Sequence, residues 1–541
     1  MYEHEKLCAQ LLRFDWQTNP HTATAKGIRD WDDELPLADR AASGNQIDTL
    51  QGFRKVIDNA ISQQWYATNE QLLDLEVARQ YTVRTLADLT ILRPWEKNPT
   101  HAIGILAAAL NSLLAPCEDE PARDRALVAR LRKGGEFLST ARGHLVANEV
   151  PELWVEISLG NLQGMRLMLE KSIPIFARST TLESAILAAA SDLIHELDAH
   201  AVFLKALQTH ATGSFACGPE YFTVMLKEFY MVEMDANDLL AFGRKKVAEF
   251  EQALVAQARY IHPDKTWVEL IESSKQEHPT AASLISSYGE EKDQAAEFVR
   301  RLGLVSIPEG ELCTMTETPL YARPTTPLGS MNTTRPYTPG LHSFFNITPV
   351  DTEAPVERQE QHLRDNNFAF IRSIAFHEVI PGHHLQACKH KLQPSYFRRN
   401  FSNTVLVEGW GLYTEDLMAE SGYLSDPLHN LIRLKNALWR AVRVVVDVGL
   451  HTQDMPFSEA VRLLQEKIRQ EHHIAVGEAR RYTVGPTYPS SYMLGRDQIL
   501  SLRDECRSRW GDDFSLRRFH DELLSYGSLP VSVIRRDMLK R

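Results

Sequence analysis

Apolar side chains recur with helical spacing through most of residues 1–310. The longest periodic segments are Gln71–Leu92, Thr181–Thr209 and Asp235–Ile261, and each predicts a helix. The last of them opens near an acidic turn, the charge that suits a helix N-terminus. No repeat of fixed period runs through the chain. The pattern changes at about residue 311. Pro319, Pro324, Pro327, Pro336, Pro339 and Pro349 lie among many threonines between 311 and 350, which makes helix improbable there. Within that stretch Leu341–Thr348 reads as a short strand. Helical spacing returns in Phe368, Ile371, Ile374 and Ala375, and again in Leu385 with Cys388. Residues 452–475 and 497–541 read as closing helices. The predicted fold is therefore mainly α with a small β-sheet. Two lobes are expected: a helical one over 1–310, and one over 311–541 that carries the sheet and the chemistry.

Composition narrows the class. Of the 541 residues 43% are hydrophobic and 24% charged, the balance of a soluble globular protein with a sizeable core. A net charge of −12 argues against nucleic acid or an anionic membrane as partner. No apolar run is long enough to span a bilayer. Met1–Gln17 mixes acids and bases and lacks the pattern of a secretory signal. Cys8, Cys117, Cys217, Cys313, Cys388 and Cys506 show no C-x-x-C spacing. A cytoplasmic location follows as the expectation. Neither a nucleophile elbow nor a phosphate-binding loop occurs, so serine-hydrolase and nucleotide chemistry are disfavoured.

The densest chemistry lies in His377-Glu378-Val379-Ile380-Pro381-Gly382-His383-His384. Histidine is the commonest zinc ligand, and a neighbouring glutamate can serve as general base. The stretch is a broken form of H-E-x-x-H, in which histidines at i and i+4 share a helix face. Here position i+4 is Pro381. On a straight helix His383 would lie about 120° round from His377, and His384 would lie ~10 Å further along. Zinc–nitrogen bonds of ~2.0–2.1 Å cannot span that gap. Pro381 also collides with the carbonyl four residues back, that of His377. A bulge at Pro381-Gly382 is expected to bring either His383 or His384 to His377.

A second segment, Val405–Glu415, places Glu408 and Glu415 at i and i+7 on one helix face. Glu408, flanked by a glycine that permits close helix approach, is the preferred third ligand. Glu415 is expected to orient a histidine. Further on, Arg443, Asp447 and His451 follow each other at i+4 steps, with Arg440 beside them, in an apolar run. That pattern predicts a buried salt-bridge ladder, or else an arginine that captures a substrate carboxylate. Arg481 and Arg496 are rival carboxylate clamps.

HEVIPGHHLQ (377–386) and VEGWGLYTE (407–415) resemble the bacterial domain-of-unknown-function family 885, whose members are grouped with gluzincin-like zinc metallopeptidases. WRAVRVVVDVGLH (439–451), RYTVGPTYPSSYMLG (481–495) and FHDELLSYGSLPVSVI (519–534) extend the resemblance over most of the chain. Gly411 stands where alanine is expected, a harmless departure. The resemblance implies a helical zinc-peptidase-like architecture, two lobes around a channel, and one zinc ion held by His377, His383 or His384, and Glu408. It implies metal-assisted hydrolysis of a short peptide or small amide. Zinc would acidify its water toward pKa ~7, and Glu378 would take the proton and deliver it to the leaving amine. Tyr492, with Tyr488 second, is the expected oxyanion donor. The strand around Phe345 and Asn346 is expected to lie at a sheet edge and bind substrate by strand addition. The alternative is a non-catalytic binding protein with a structural metal or none.

Overall fold

The computed structural model describes residues 3–115, 117–320, 323, 326 and 328–540. Pro324 and Pro327 lie outside them. Helix accounts for 71% of the chain and strand for 3%, so the mainly helical class read from the periodicity is the observed one. The helices used below are α1 (Asn69–Ala87), α2 (Thr100–Leu114), α3 (Glu120–Arg142), α4 (Glu183–Gln208), α5 (Ala236–Ile261), α6 (Phe368–Glu378), α7 (His383–Leu392), α8 (Thr404–Glu420), α9 (Pro427–Thr452), α10 (His472–Val484) and α11 (Tyr488–Trp510).

Local chemistry sets their ends. The Thr68 hydroxyl accepts the Gln71 N–H and starts α1. Past Ala87 that helix runs on as one wide turn, closed by Arg93 N–H donating to the Asp88 carbonyl at 2.8 Å. Asp235 and Asp238 cap α5 reciprocally. The acidic residues read at that point in the sequence are therefore a capping box.

The strands are β1 (Glu311–Glu317), β2 (Gly329–Asn332) and β3 (Leu341–Ile347), in the order β1-β3-β2. β3 is parallel to β1 and antiparallel to β2. The strand expected near 341–348 thus forms, but at the centre of the sheet. Both its edges are already hydrogen-bonded, so it cannot accept a peptide by strand addition. Phe345 is buried and packs edge-on against Tyr288, and Asn346 bonds Thr316 at 2.8 Å and Ser330 at 3.4 Å. Neither lies on a sheet edge, which corrects that expectation for both.

Among the described residues three apolar cores hold the molecule together. One lies among α2, α3 and α4, around Leu106, Leu131 and Leu193. A second joins α5 to α9 through Leu239, Phe250, Val444 and Tyr482. The largest runs from Leu7 and Leu11 to Trp410, Phe519 and Ile534, and so crosses residue 310. Each such side chain, fully buried, contributes about 1.5–3 kcal/mol. No described helix is long and apolar enough to cross a membrane.

Candidate metal centre

The break foreseen at Pro381-Gly382 separates α6 from α7. Helix α6 ends at Glu378, residues 379–382 turn, and α7 begins at His383. Leu385 N–H reaches back to the Val379 carbonyl at 3.2 Å, and Trp410 Nε1 donates to the Pro381 carbonyl at 2.9 Å. Gly382 passes so close to α6 that an added Cβ would lie 1.7 Å from the His377 carbonyl oxygen. This turn brings the His377 and His383 rings to 4.9 Å between centroids, with their planes at 89°.

Helix α8 supplies the third group. Glu408 Oε2 lies 3.5 Å from His383 Nε2. One ligand atom each from His377, His383 and Glu408 falls within 4.8 Å of the others. Two imidazoles and a carboxylate are a donor set that zinc takes, with a position left open. At Gly411 an added Cβ would come within 2.9 Å of Cε1 of both histidines, so glycine clears the space that the two rings use. The bundle is tight here because Gly409 of α8 meets Gly495 of α11: a Cβ on Gly409 would lie 2.4 Å from the Gly495 Cα. That crossing carries Tyr488 and Tyr492 to the site. Tyr488 donates to Glu408 Oε1 at 2.5 Å, and the two tyrosine hydroxyls are 3.1 Å apart.

His384, the alternative to His383, faces the other way. Its ring nitrogens bond Ser343 at 2.7 Å and Glu311 at 2.8 Å, which tie it to the sheet. It is therefore not a member of the cluster, and the choice the sequence left open falls to His383. Cys388 is a fully buried packed thiol, pushed up to about 12 by burial.

The electrostatics suit a cation. Burial alone would pull His383 down, but Glu408, helped by Glu378, raises it to about 9. Burial pushes Glu408 up, yet His383, Tyr488 and His377 hold it at about 2. Without metal the pair is thus imidazolium against carboxylate. Glu415 binds His377 Nδ1 at 2.9 Å and so leaves Nε2 for a ligand bond. Against its burial, Arg440, 3.6 Å away, and His377 keep Glu415 below the usual carboxylate range. Glu415→Gln is expected to weaken zinc binding about 10–100-fold, since such outer partners fix ligand tautomer and basicity. A competitive chelator titration measures this, and an unchanged affinity would deny Glu415 the orienting role. Glu378 is half-buried, and among the described residues no group hydrogen-bonds its carboxylate.

The residues expected to form a ladder each serve a different neighbour instead. Arg443 donates to Tyr482 at 2.8 Å and Glu478 at 3.2 Å, and lies over the Trp439 and Tyr492 rings. Asp447 accepts Thr487 N–H at 3.1 Å, Ser490 N–H at 3.2 Å and the Ser490 hydroxyl at 2.6 Å, and so anchors the start of α11. His451, held near 4 by burial, donates to the Tyr482 carbonyl and accepts from Cys217 N–H. Asp447 and His451 are 3.9 Å apart, but burial leaves His451 neutral, so no charge ladder runs along Arg443, Asp447 and His451. Arg496 is taken by Asp416 at 2.5 Å. Arg481 shares Glu478 at 2.8 Å and stacks on Tyr488. None of the three expected carboxylate clamps is a free cation.

Burial raises the Asp447 carboxyl to about 7, against the hydrogen bonds from Ser490 and Thr487. The folded chain keeps this proton to higher pH than an unfolded chain, whose value is near 3.8. Stability from this group is therefore present below 3.8 and lost as pH rises to about 7. Asp447→Asn is expected to flatten the fall in melting temperature across that window. A mutant profile parallel to wild type would contradict it.

Trp410, Glu311 and Ser343 escaped the sequence reading. Trp410 sits two residues from Glu408, so the motif itself held a signal. The other two are fixed by pairing over 41 and 73 residues, which spacing does not report.

The fold and the site define a helical protein with a partly buried two-histidine, one-carboxylate cluster. The chain belongs to DUF885, a family described as bacterial protein of unknown function, whose profile matches residues 20–538. No curated protein matches it. Among solved structures it is similar to "a putative lipoprotein of unknown function" from Shewanella oneidensis, at 22% identity over 100% of both chains, with TM-score 0.82. It is also similar to a "putative lipoprotein" from Colwellia psychrerythraea, at 18% identity over 99% of this chain and 98% of that one, with TM-score 0.81. The cytoplasmic location expected from the first residues is overturned by these neighbours, both described as lipoproteins.

Proposed function

We propose that this chain is a zinc-dependent hydrolase of peptide or amide bonds in short substrates. The convergence of His377, His383 and Glu408 beside an unengaged Glu378 carries the reading. The donor set is also of the kind gluzincin-like peptidases use. A zinc ion bound there would supply Lewis acidity and an acidified water.

The chain's own residues divide the remaining work. His377 is oriented through Nδ1 by Glu415, and Glu408 is fixed by Tyr488. Glu378 takes the proton of the attacking water and returns it to the leaving amine. Tyr492 offers its hydroxyl near the place where negative charge develops on the substrate oxygen, while the Tyr488 proton is committed to Glu408. Burial keeps both phenols above the usual range, so they remain donors. The helical lobe of residues 1–310 walls the site and restricts it to short substrates. A non-catalytic structural metal is disfavoured, because such sites take four ligands and need no base. The test is hydrolysis of a short-peptide library by zinc-loaded protein. Chelator-sensitive cleavage restored by zinc is expected, and cleavage indifferent to chelator would refute the reading.

A further inference from the structure

A cavity of about 720 Å³ shares one residue, Tyr488, with the surroundings of the candidate metal centre. Thr404, Thr487 and Tyr488 line it, and the Tyr488 hydroxyl is the one bonded to Glu408. Most of the other lining residues come from the N-terminal helices. On α2, His101, Gly104, Ile105 and Ala108 line it at i, i+3, i+4 and i+7, a single helix face. Gly104 and Ala108 are exposed although Leu106 between them and Ile103 and Ala109 on either side are buried, so this accessible face of α2 looks into the cavity. The volume falls within the ~300–1,000 Å³ typical of ligand pockets.

The charges in the wall set what can enter. Asp88 is the only acid among the described lining residues. Arg84 lies 3.7 Å from it, and Tyr221 donates to it at 2.7 Å. Arg142 also lines the cavity, and no described carboxylate pairs with it. Burial keeps His101 and His200 near 4, hence neutral. Trp95, Trp154, Leu89 and Phe137 supply apolar surface. A cation buried here would find no free acid, which is costly, whereas an apolar or aromatic group would gain by burial.

We propose that this cavity receives the apolar portion of the substrate next to the scissile bond, and that it selects against positively charged residues there. The proposal rests on the hydrolase reading for the bond that is cut, and on the cavity alone for what is bound. It gives the N-terminal helices a role as the specificity wall of a centre built from the C-terminal ones.

The experiment compares tripeptides carrying Phe, Leu, Asp or Lys. Binding is measured by calorimetry on zinc-loaded Glu378→Gln, and cleavage on zinc-loaded wild type. The same binding is repeated in Gly104→Trp and Ala108→Phe placed in the Glu378→Gln background. Nothing lies within 4 Å of a Cβ built on Gly104, so its side chain grows into the open cavity. Phe and Leu peptides are expected to bind at least about tenfold tighter than Lys peptides, the size of burying one such side chain. That preference should be lost in both filled variants while zinc content and melting temperature are kept. Two variants guard against one that fails to fold. The preference without cleavage by wild type would uphold the cavity and refute the hydrolase. Cleavage with no apolar preference, unchanged by filling the cavity, would overturn the cavity proposal and leave the hydrolase standing. Neither binding nor cleavage would overturn both.

Discussion

Glu378→Gln is expected to keep its zinc and to lose hydrolysis by roughly 10²–10⁴-fold, the span that a positioned general base contributes. The substitution preserves shape and removes only the ability to take a proton. Glu378 ends α6 beside His377, is half-buried, and is held by no hydrogen bond from the described residues. Its loss should therefore leave packing intact. Its charge helps hold the metal-free His383 in the protonated form. Turnover and zinc content measured on one preparation separate the two effects. Undiminished turnover in a zinc-replete mutant would strip Glu378 of the base role.

Gly382→Ala should damage the fold and the candidate metal site together. The new Cβ would meet the His377 carbonyl oxygen at 1.7 Å, its carbon at 2.3 Å and the Phe376 oxygen at 2.5 Å. All three are backbone atoms in the last turn of α6 and cannot swing aside. The turn must open, and opening it moves His383 away from His377. Overpacking commonly costs ~1–3 kcal/mol. Because the strain falls on the link between two metal ligands, zinc should be lost more completely than in Glu415→Gln. Zinc content and melting temperature check this, and a stoichiometric, equally stable variant would contradict the geometry.

Features set by neighbours along the chain were legible in the sequence. Helical periodicity over 181–209 gave α4 to within two residues at its start and one at its end. The clash of Pro381 with the His377 carbonyl gave the helix break, and the glycine beside Glu408 gave the close crossing with α11. What depends on distant partners was not legible. Whether His383 or His384 joins His377 and Glu408 is decided by Ser343 and Glu311, which hold His384. The strand at 341–347 was visible from its composition. Its central place was not, because that depends on β1 and β2 pairing on either side. The i+4 spacing of Arg443, Asp447 and His451 suggested a ladder. Glu478, Tyr482, Thr487 and Ser490 from other elements claim these side chains first. The cavity beside Tyr488 is assembled from segments hundreds of residues apart and leaves no local pattern.

The proposed chemistry depends on a single zinc site made by His377, His383 and Glu408. Elemental mass spectrometry of chelator-washed protein, before and after zinc is restored, tests it most directly. About one zinc per chain after reloading, absent in His377→Ala and retained in His384→Ala, is the predicted result. No bound metal under any condition, or equal binding by His377→Ala, would contradict it.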